Sequence, residues 1–169
     1  MSVGINQAAP DFELPDLGGK RHRLSDYRGR IAILNFWSSE CPHSERADRL
    51  IMEKMQAWGG SLTFLTIASN QNETVEALKT AAEARHLPRV LIDRGHHVAD
   101  LYEAQTTPHV FLIDRDGILR YRGAVDDVTF RQRTAACHYL LEAVESLMSM
   151  KLPVISESPA YGCAIVREI

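Results

Sequence analysis

The apolar positions of the chain follow two periods in alternation, and together they predict a layered α/β protein. Ile31-Ala32-Ile33-Leu34-Asn35-Phe36-Trp37 is an almost unbroken apolar run entered through Arg28-Gly29-Arg30, the pattern of a strand covered on both faces. The period then changes to that of a helix, with Ala47, Leu50, Ile51, Met55 and Trp58 on one stripe. Pro42 opens this helix, at a position where a missing N–H costs nothing, and Gly59-Gly60 stops it.

The same alternation continues downstream. Residues 61–68 read as a second buried strand and residues 73–86 as a helix with a weaker stripe of Val75, Leu78, Ala82 and Arg85, ended by Leu87-Pro88. A short strand over residues 90–92 and a small helix near residues 98–102 follow. Residues 107–114 form a strand entered through a proline, Asp114-Arg115-Asp116-Gly117 a turn, and residues 118–123 the returning strand of a hairpin. A last helix is expected over residues 130–150, with Leu140, Leu141, Val144, Leu147 and Met148 on its apolar face and Cys137 on the same side. Before the first buried strand lie a short extended edge at residues 10–14, a turn at 16–20 and a helical turn at 24–27; after the last helix, residues 153–169 read as an irregular tail. The order β-α-β-α-β-α-β-β-α implies a mixed sheet with helices on both faces.

Composition narrows the function classes. A chain of 169 residues with 45% hydrophobic content buries a full core as one domain, residues 1–152, followed by a tail, residues 153–169, that carries Cys163. The net charge of −3 comes from interleaved acids and bases, a solvated surface with no footprint for nucleic acid. No apolar stretch approaches the roughly 20 residues that span a bilayer, so no membrane partner is expected. Residues 1–10 have neither a basic region nor an apolar core of a leader, and a cytoplasmic location is expected.

Cys41, Cys137 and Cys163 are too few and too far apart for a disulfide scaffold or a zinc site, and His96-His97 have no clustered thiol or carboxylate, so no metal or cofactor is expected. Cys41 stands out because it sits on the strand-to-helix turn. A helix N-terminus offers unpaired N–H groups and a dipole that favour a thiolate. His43, one residue past the proline, adds an imidazole whose protonated form favours the thiolate, or else it is a solvent-facing helix residue. Glu40 disfavours the thiolate and reads as surface. Cys137 reads as core. Cys163 has two readings: a small residue tucked under a tail, or a distant resolving thiol carried on a tail long enough to reach Cys41.

Asn35-Phe36-Trp37 leading to a Cys-Pro helix start, with Thr107-Pro108 before a strand and Phe111-Leu112-Ile113-Asp114-x-x-Gly117 after it, resembles the thioredoxin superfamily, and within it the TlpA/ResA-type and AhpC/TSA redoxins. Cys41-Pro42-His43, residues 107–111, residues 121–127 and Gly162-Cys163-Ala164-Ile165 are similar to a bacterial branch of thioredoxin-like redoxins that ends in a Gly-Cys-x-Ile tail. The resemblance implies a thioredoxin-like fold and a cis-proline at Pro108 opposite the nucleophile. It also implies that the backbone of Thr107 pairs with substrate, with Trp37 beside the substrate site. His43 resembles the histidine of Cys-Pro-His-Cys oxidants. Ser38 and Arg120 resemble the hydroxyl and arginine of peroxiredoxins, although Arg120 also reads as a strand surface residue.

The departures matter equally. The resolving position of a Cys-x-x-Cys motif is Ser44, and the branch's extra cysteine three residues before Cys41 is Ser38, so no dithiol cycle can run inside the motif. The expected activity is a nucleophilic Cys41 thiolate in thiol–disulfide exchange or peroxide reduction, with Cys163 as candidate resolver. Its partners would be a thiol or disulfide protein or a peroxide, and an external thiol reductant. The alternative is a non-catalytic peptide-binding module that uses the groove between Cys41 and Pro108.

Overall fold

The computed structural model of the chain describes residues 3–168. Met1 and Ser2, the start of the segment read above for a leader, and Ile169, the end of the expected tail, lie outside the described residues.

An antiparallel pair, β1 (Glu13–Pro15) and β2 (Arg21–Arg23), and a 3-10 turn, Leu24–Tyr27, precede the main body. The chain then runs β3 (Ile31–Trp37), α1 (Pro42–Trp58), β4 (Leu62–Ala68), α2 (Val75–Ala84), β5 (Val90–Ile92) and α3 (His97–Leu101). It finishes with β6 (Thr106–Thr107), β7 (His109–Ile113), β8 (Leu119–Gly123), α4 (Tyr139–Met148) and β9 (Cys163–Ala164). The central five-stranded sheet has the order β5-β4-β3-β7-β8. β3, β4 and β5 are parallel, β7 runs against them, and β8, antiparallel to β7, returns in their direction. This is the mixed α/β sheet of a thioredoxin-like fold.

β3 is central and every one of its residues is buried, which is why its sequence shows no polar alternation. Successive side chains nevertheless go to opposite layers. Ile31 and Ile33 pack with Ala47 and Ile51 of α1 and with Leu140, Val144 and Leu147 of α4. Ala32, Leu34 and Phe36 pack on the other side with Phe12, Leu14, and Val98 and Ala99 of α3. Burying each large aliphatic or aromatic side chain contributes about 1.5–3 kcal/mol, so the strand that leads to Cys41 is among the most firmly held parts of the molecule.

Three expectations need correction. The last helix begins at Tyr139, because the carboxylate of Asp127 takes the N–H groups of Ala136 (2.9 Å) and Cys137 (3.1 Å) and holds residues 130–138 in turns. Cys137 is therefore outside the helix and only half-buried. The segment after Pro153 is not irregular throughout. The N–H of Arg122 donates to Ser156 (3.0 Å) and that of Ser158 to Arg122 (3.1 Å), and further on β9 pairs with β6.

Candidate active site

The site is built on the loop between β3 and α1. Cys41 is the N-cap of α1, with extended backbone (φ −83°, ψ 120°), and Pro42 follows as the first helical residue. The N–H of Glu45 donates to the Cys41 carbonyl at 3.1 Å and closes the first turn. α2 clamps the loop from both of its ends. Glu73, just before α2, accepts from Ser38 Oγ (2.8 Å), the Ser39 N–H (2.7 Å), the Ser39 hydroxyl and Asn70 Nδ2 (2.6 Å). Arg85, at the other end, donates to the carbonyl of Ser39 (2.7 Å) and to Asp48 Oδ2 (3.2 Å), with its guanidinium 5.4 Å from the centre of the Trp37 ring. Asp48 also accepts from the Trp37 indole at 2.7 Å, and burial pushes its pKa up to about 6 against the lowering effects of Trp37 and Arg85.

The Cys41 residue is only 3% exposed. In its thiol form Sγ donates to the Thr107 carbonyl at 3.1 Å, and the Thr107-Pro108 peptide bond is cis, as the resemblance implied. Opposite Thr107 in the β6–β9 register stands Cys163, with Thr106 opposite Ala164. Burial alone would raise the pKa of the Cys41 thiol. The Cys163 side chain, the N–H groups of Ser44 and Cys163 and the Thr107 side chain more than offset this and hold the pKa below the ordinary thiol value. The Cys163 thiol is displaced the opposite way, to about 11, by desolvation, by its hydrogen bond to Cys41 and by the charge of Cys41. Cys163 is exposed as a residue and stands opposite Thr107, whose carbonyl accepts from Cys41 Sγ. The pair therefore loses its first proton from Cys41 and keeps the second on Cys163.

Cys41, Thr107 and Pro108 come together as the resemblance implied, and β9 sets Cys163, for which the sequence left two readings open, beside them. The approach of Cys163 to Cys41 is already present with both thiols free, and needs no folding back of a mobile tail. His43 is half-buried and faces Tyr161 edge to face, with ring centres 5.1 Å apart. It lines, with Pro108, Phe130 and Tyr161, a cleft of about 390 Å³ on the Pro108 side of the site. Trp37, assigned to substrate contact, is 0% exposed and committed to Asp48 and Arg85; it positions the loop and does not face the groove. Ser44 is buried, with its hydroxyl accepting from the N–H of Ser38 at 3.2 Å. Arg120 pairs with Asp114 at 2.7 Å.

Glu73, Arg85 and Tyr161 did not stand out in the sequence. One signal was available: Arg85 is a charged residue on an otherwise apolar helix stripe. Among the described residues no group of three or more His, Cys, Asp and Glu is arranged to hold a metal ion, and His96 is hydrogen-bonded to Asp100 at 2.7 Å.

A thiol at the N-terminus of the helix that follows the central strand, facing a cis-proline on a sheet of this order, defines a thioredoxin-fold redoxin. The chain belongs to the AhpC/TSA family, which its residues 5–122 match. It is 36% identical to thiol-disulfide oxidoreductase ResA of Geobacillus kaustophilus over 117 residues, 69% of this chain and 67% of the relative. Thioredoxin-like protein YneN of Bacillus subtilis is 31% identical over 123 residues, 70% of this chain and 71% of the relative. The crystal structure of a hypothetical protein from Sinorhizobium meliloti superposes with a TM-score of 0.83 at 27% identity, covering 98% of this chain and 95% of that one. The family match ends at Arg122, well before Cys163.

Proposed function

We propose that the protein is a thiol-disulfide oxidoreductase in which Cys41 attacks and Cys163 resolves. The observation that carries this reading is the β6–β9 register, which sets Cys163 opposite the Thr107 whose carbonyl accepts from Cys41 Sγ, with the Cys41 pKa lowered and the Cys163 pKa raised to about 11. The Cys41 thiolate attacks one sulfur of a protein disulfide, and the other sulfur leaves as a thiolate that takes a proton from solvent. Once Cys41 is in the mixed disulfide it carries no charge, and two of the three influences that hold the Cys163 proton disappear. Cys163 then loses its proton and attacks Cys41 Sγ, forming the Cys41–Cys163 disulfide and releasing the substrate cysteine as a thiol. An external thiol reductant restores the pair. Ser44 cannot take the resolving role.

Disulfide exchange is favoured over peroxide reduction because the side chains that would activate a peroxide are engaged elsewhere. The Ser38 hydroxyl donates to Glu73, and Arg120 is held by Asp114 and Asn6. The experiment is a nonreducing peptide map after one equivalent of a protein disulfide. A Cys41–Cys163 linked peptide is expected in the wild type, a trapped mixed disulfide in Cys163→Ser, and no reaction in Cys41→Ser. Recovery of free Cys163 beside an oxidised Cys41 would refute the resolving role.

A further inference from the structure

The nucleophile has almost no surface of its own, at 3% exposure, and what stands across it is the chain's own C-terminal strand. β9 lies antiparallel on β6 with Cys163 opposite Thr107. Its side chains alternate as a strand's do: Cys163 turns to Cys41, Ala164 is exposed and Ile165 is buried in the core layer beneath. The N–H of Ile165 donates to the carbonyl of Gln105 at 3.1 Å. Just before the cysteine there is no room for a side chain. A Cβ at Gly162 would lie 2.7 Å from the carbonyl carbon of Thr107, closer still to its oxygen, and 3.0 Å from Pro108 Cδ. The strand pairing is two residues long, and beyond it Val166 is bonded to Asn70 and Gln71 and Arg167 to Asp100 and Ala104, so residues 162–165 are released from an anchored end.

Resting on the reading of Cys41 as nucleophile, we propose that residues 162–165 occupy the place of a protein substrate's strand. The groove accepts an extended segment with glycine directly before its reactive cysteine and an aliphatic residue two positions after it, and this chain's tail must leave before that segment docks. Adding a strand to an open sheet edge gives affinity through the backbone and selectivity through the alternate side chains. Here the edge is β6, the steric filter is the carbonyl of Thr107, and the apolar seat is that of Ile165. The substrate strand enters as the tail leaves, and the Cys41 thiolate attacks the seated sulfur while the partner sulfur departs as a thiolate. The substrate strand then swings out of the groove with its sulfur still bonded to Cys41, the tail returns, and the Cys163 thiolate attacks Cys41 Sγ in line with that bond, so that the substrate sulfur leaves as a thiolate that takes a proton from solvent. Return of the tail both resolves the mixed disulfide and closes the seat to the strand it has expelled. The two electrons that reduce the substrate disulfide to two thiols come from the Cys41 and Cys163 thiols, which end as a disulfide.

The test uses the full chain and two pentapeptides, Ser-Gly-Cys-Ala-Ile and Ser-Ala-Cys-Ala-Ile, each as a mixed disulfide with thionitrobenzoate. Attack on the peptide sulfur releases the coloured thiol. The glycine peptide is expected to react at least about tenfold faster, since an added methyl group in a closely packed site is strongly resisted. Gly162→Ala, which spoils the tail's own fit, is expected to speed both the glycine-peptide reaction and iodoacetamide alkylation of Cys41. Ile165→Thr provides the same release from the other end if Gly162→Ala fails to fold. Equal rates for the two peptides, or unchanged alkylation in a folded variant, would overturn the strand-exchange proposal, while a Cys41–Cys163 disulfide in the oxidised wild type would leave the proposed activity standing. No coloured thiol from either peptide together with no such disulfide would overturn both.

Discussion

Replacing Cys163 by alanine is expected to raise the pKa of the Cys41 thiol. The Cys163 side chain is the strongest of the influences that lower this pKa, ahead of the N–H groups of Ser44 and Cys163 itself, and it acts through a hydrogen bond to the Cys41 sulfur. A hydrogen bond to a charged group is worth about 1.5–3 kcal/mol, and one pKa unit corresponds to about 1.4 kcal/mol. Because both backbone donors survive the substitution, the loss is confined to the side chain. Below the new pKa each unit lowers the thiolate fraction about tenfold, and the alkylation rate at neutral pH falls with it, unless a loosened tail exposes the sulfur. The direct measurement is therefore the ultraviolet absorbance of the thiolate against pH, in a Cys137→Ser background so that Cys41 alone titrates. Cys163→Ser is the control, since its hydroxyl still donates and is expected to keep the Cys41 pKa close to the wild-type value while abolishing resolution. An unchanged pKa in the alanine variant, or identical shifts in the alanine and serine variants, would show that Cys163 does not stabilise the thiolate.

Two further outcomes are expected. Because burial raises the pKa of Asp48 to about 6 in the folded protein, its contribution to stability is present below about pH 4 and lost as pH rises through about 6, by about 3 kcal/mol in all; burial also lowers the pKa of His109 to about 4, which acts with opposite sign over the same window, so the urea midpoint is expected to change little there in the wild type and to rise with pH in Asp48→Asn. The lowered carboxyls of Asp16 and Asp100 act in the opposite sense, but only as pH falls below the ordinary carboxylate range, so the two effects separate. Glu73→Ala removes the acceptor of Ser38, Ser39 and Asn70 and is expected to cost about 3 kcal/mol in denaturant unfolding. Since Asn70 in turn accepts from the N–H of Val166 at 2.8 Å, amide exchange at Val166 is expected to speed up in the same variant, and unchanged exchange there would break the link between loop and tail.

Much of this molecule can be read from its local patterns. The run from Ile31 to Trp37, the Pro42 start and the Gly59 stop mark β3 and α1 because burial on both faces, a fixed φ and a positive φ leave signatures in neighbouring residues. The start of the last helix is not legible in this way. Residues 131–137 contain good helix formers, and the capture of two N–H groups by Asp127, with the turn between Thr129 and Gln132, keeps them out of a helix. The tail is hidden for the same reason: its partners, Arg122, Thr107 and Asn70, are remote in sequence. Glycine hints at it on both sides, since a Cβ at Gly123 would overlap Ser158 just as one at Gly162 would overlap Thr107. Glu73 belongs by pattern to the start of a helix, and only the fold turns it toward Ser38 and Ser39.

Placing the two sulfurs on opposite ends of the chain has a thermodynamic consequence. A Cys41–Cys163 disulfide would close a loop of more than about 100 residues, and the chain-entropy account assigns such a loop close to 5 kcal/mol of added stability. By linkage the same quantity acts in reverse, so that folding of the chain favours the disulfide and makes the thiol pair a stronger reductant. The hydrogen bond that Cys163 gives Cys41 while both are reduced works against this, because it stabilises the reduced pair. The redox potential of the pair is thus set by a balance between the entropy of the whole unfolded chain and one contact between two sulfurs, and the melting temperature of the protein becomes a gauge of its oxidation state.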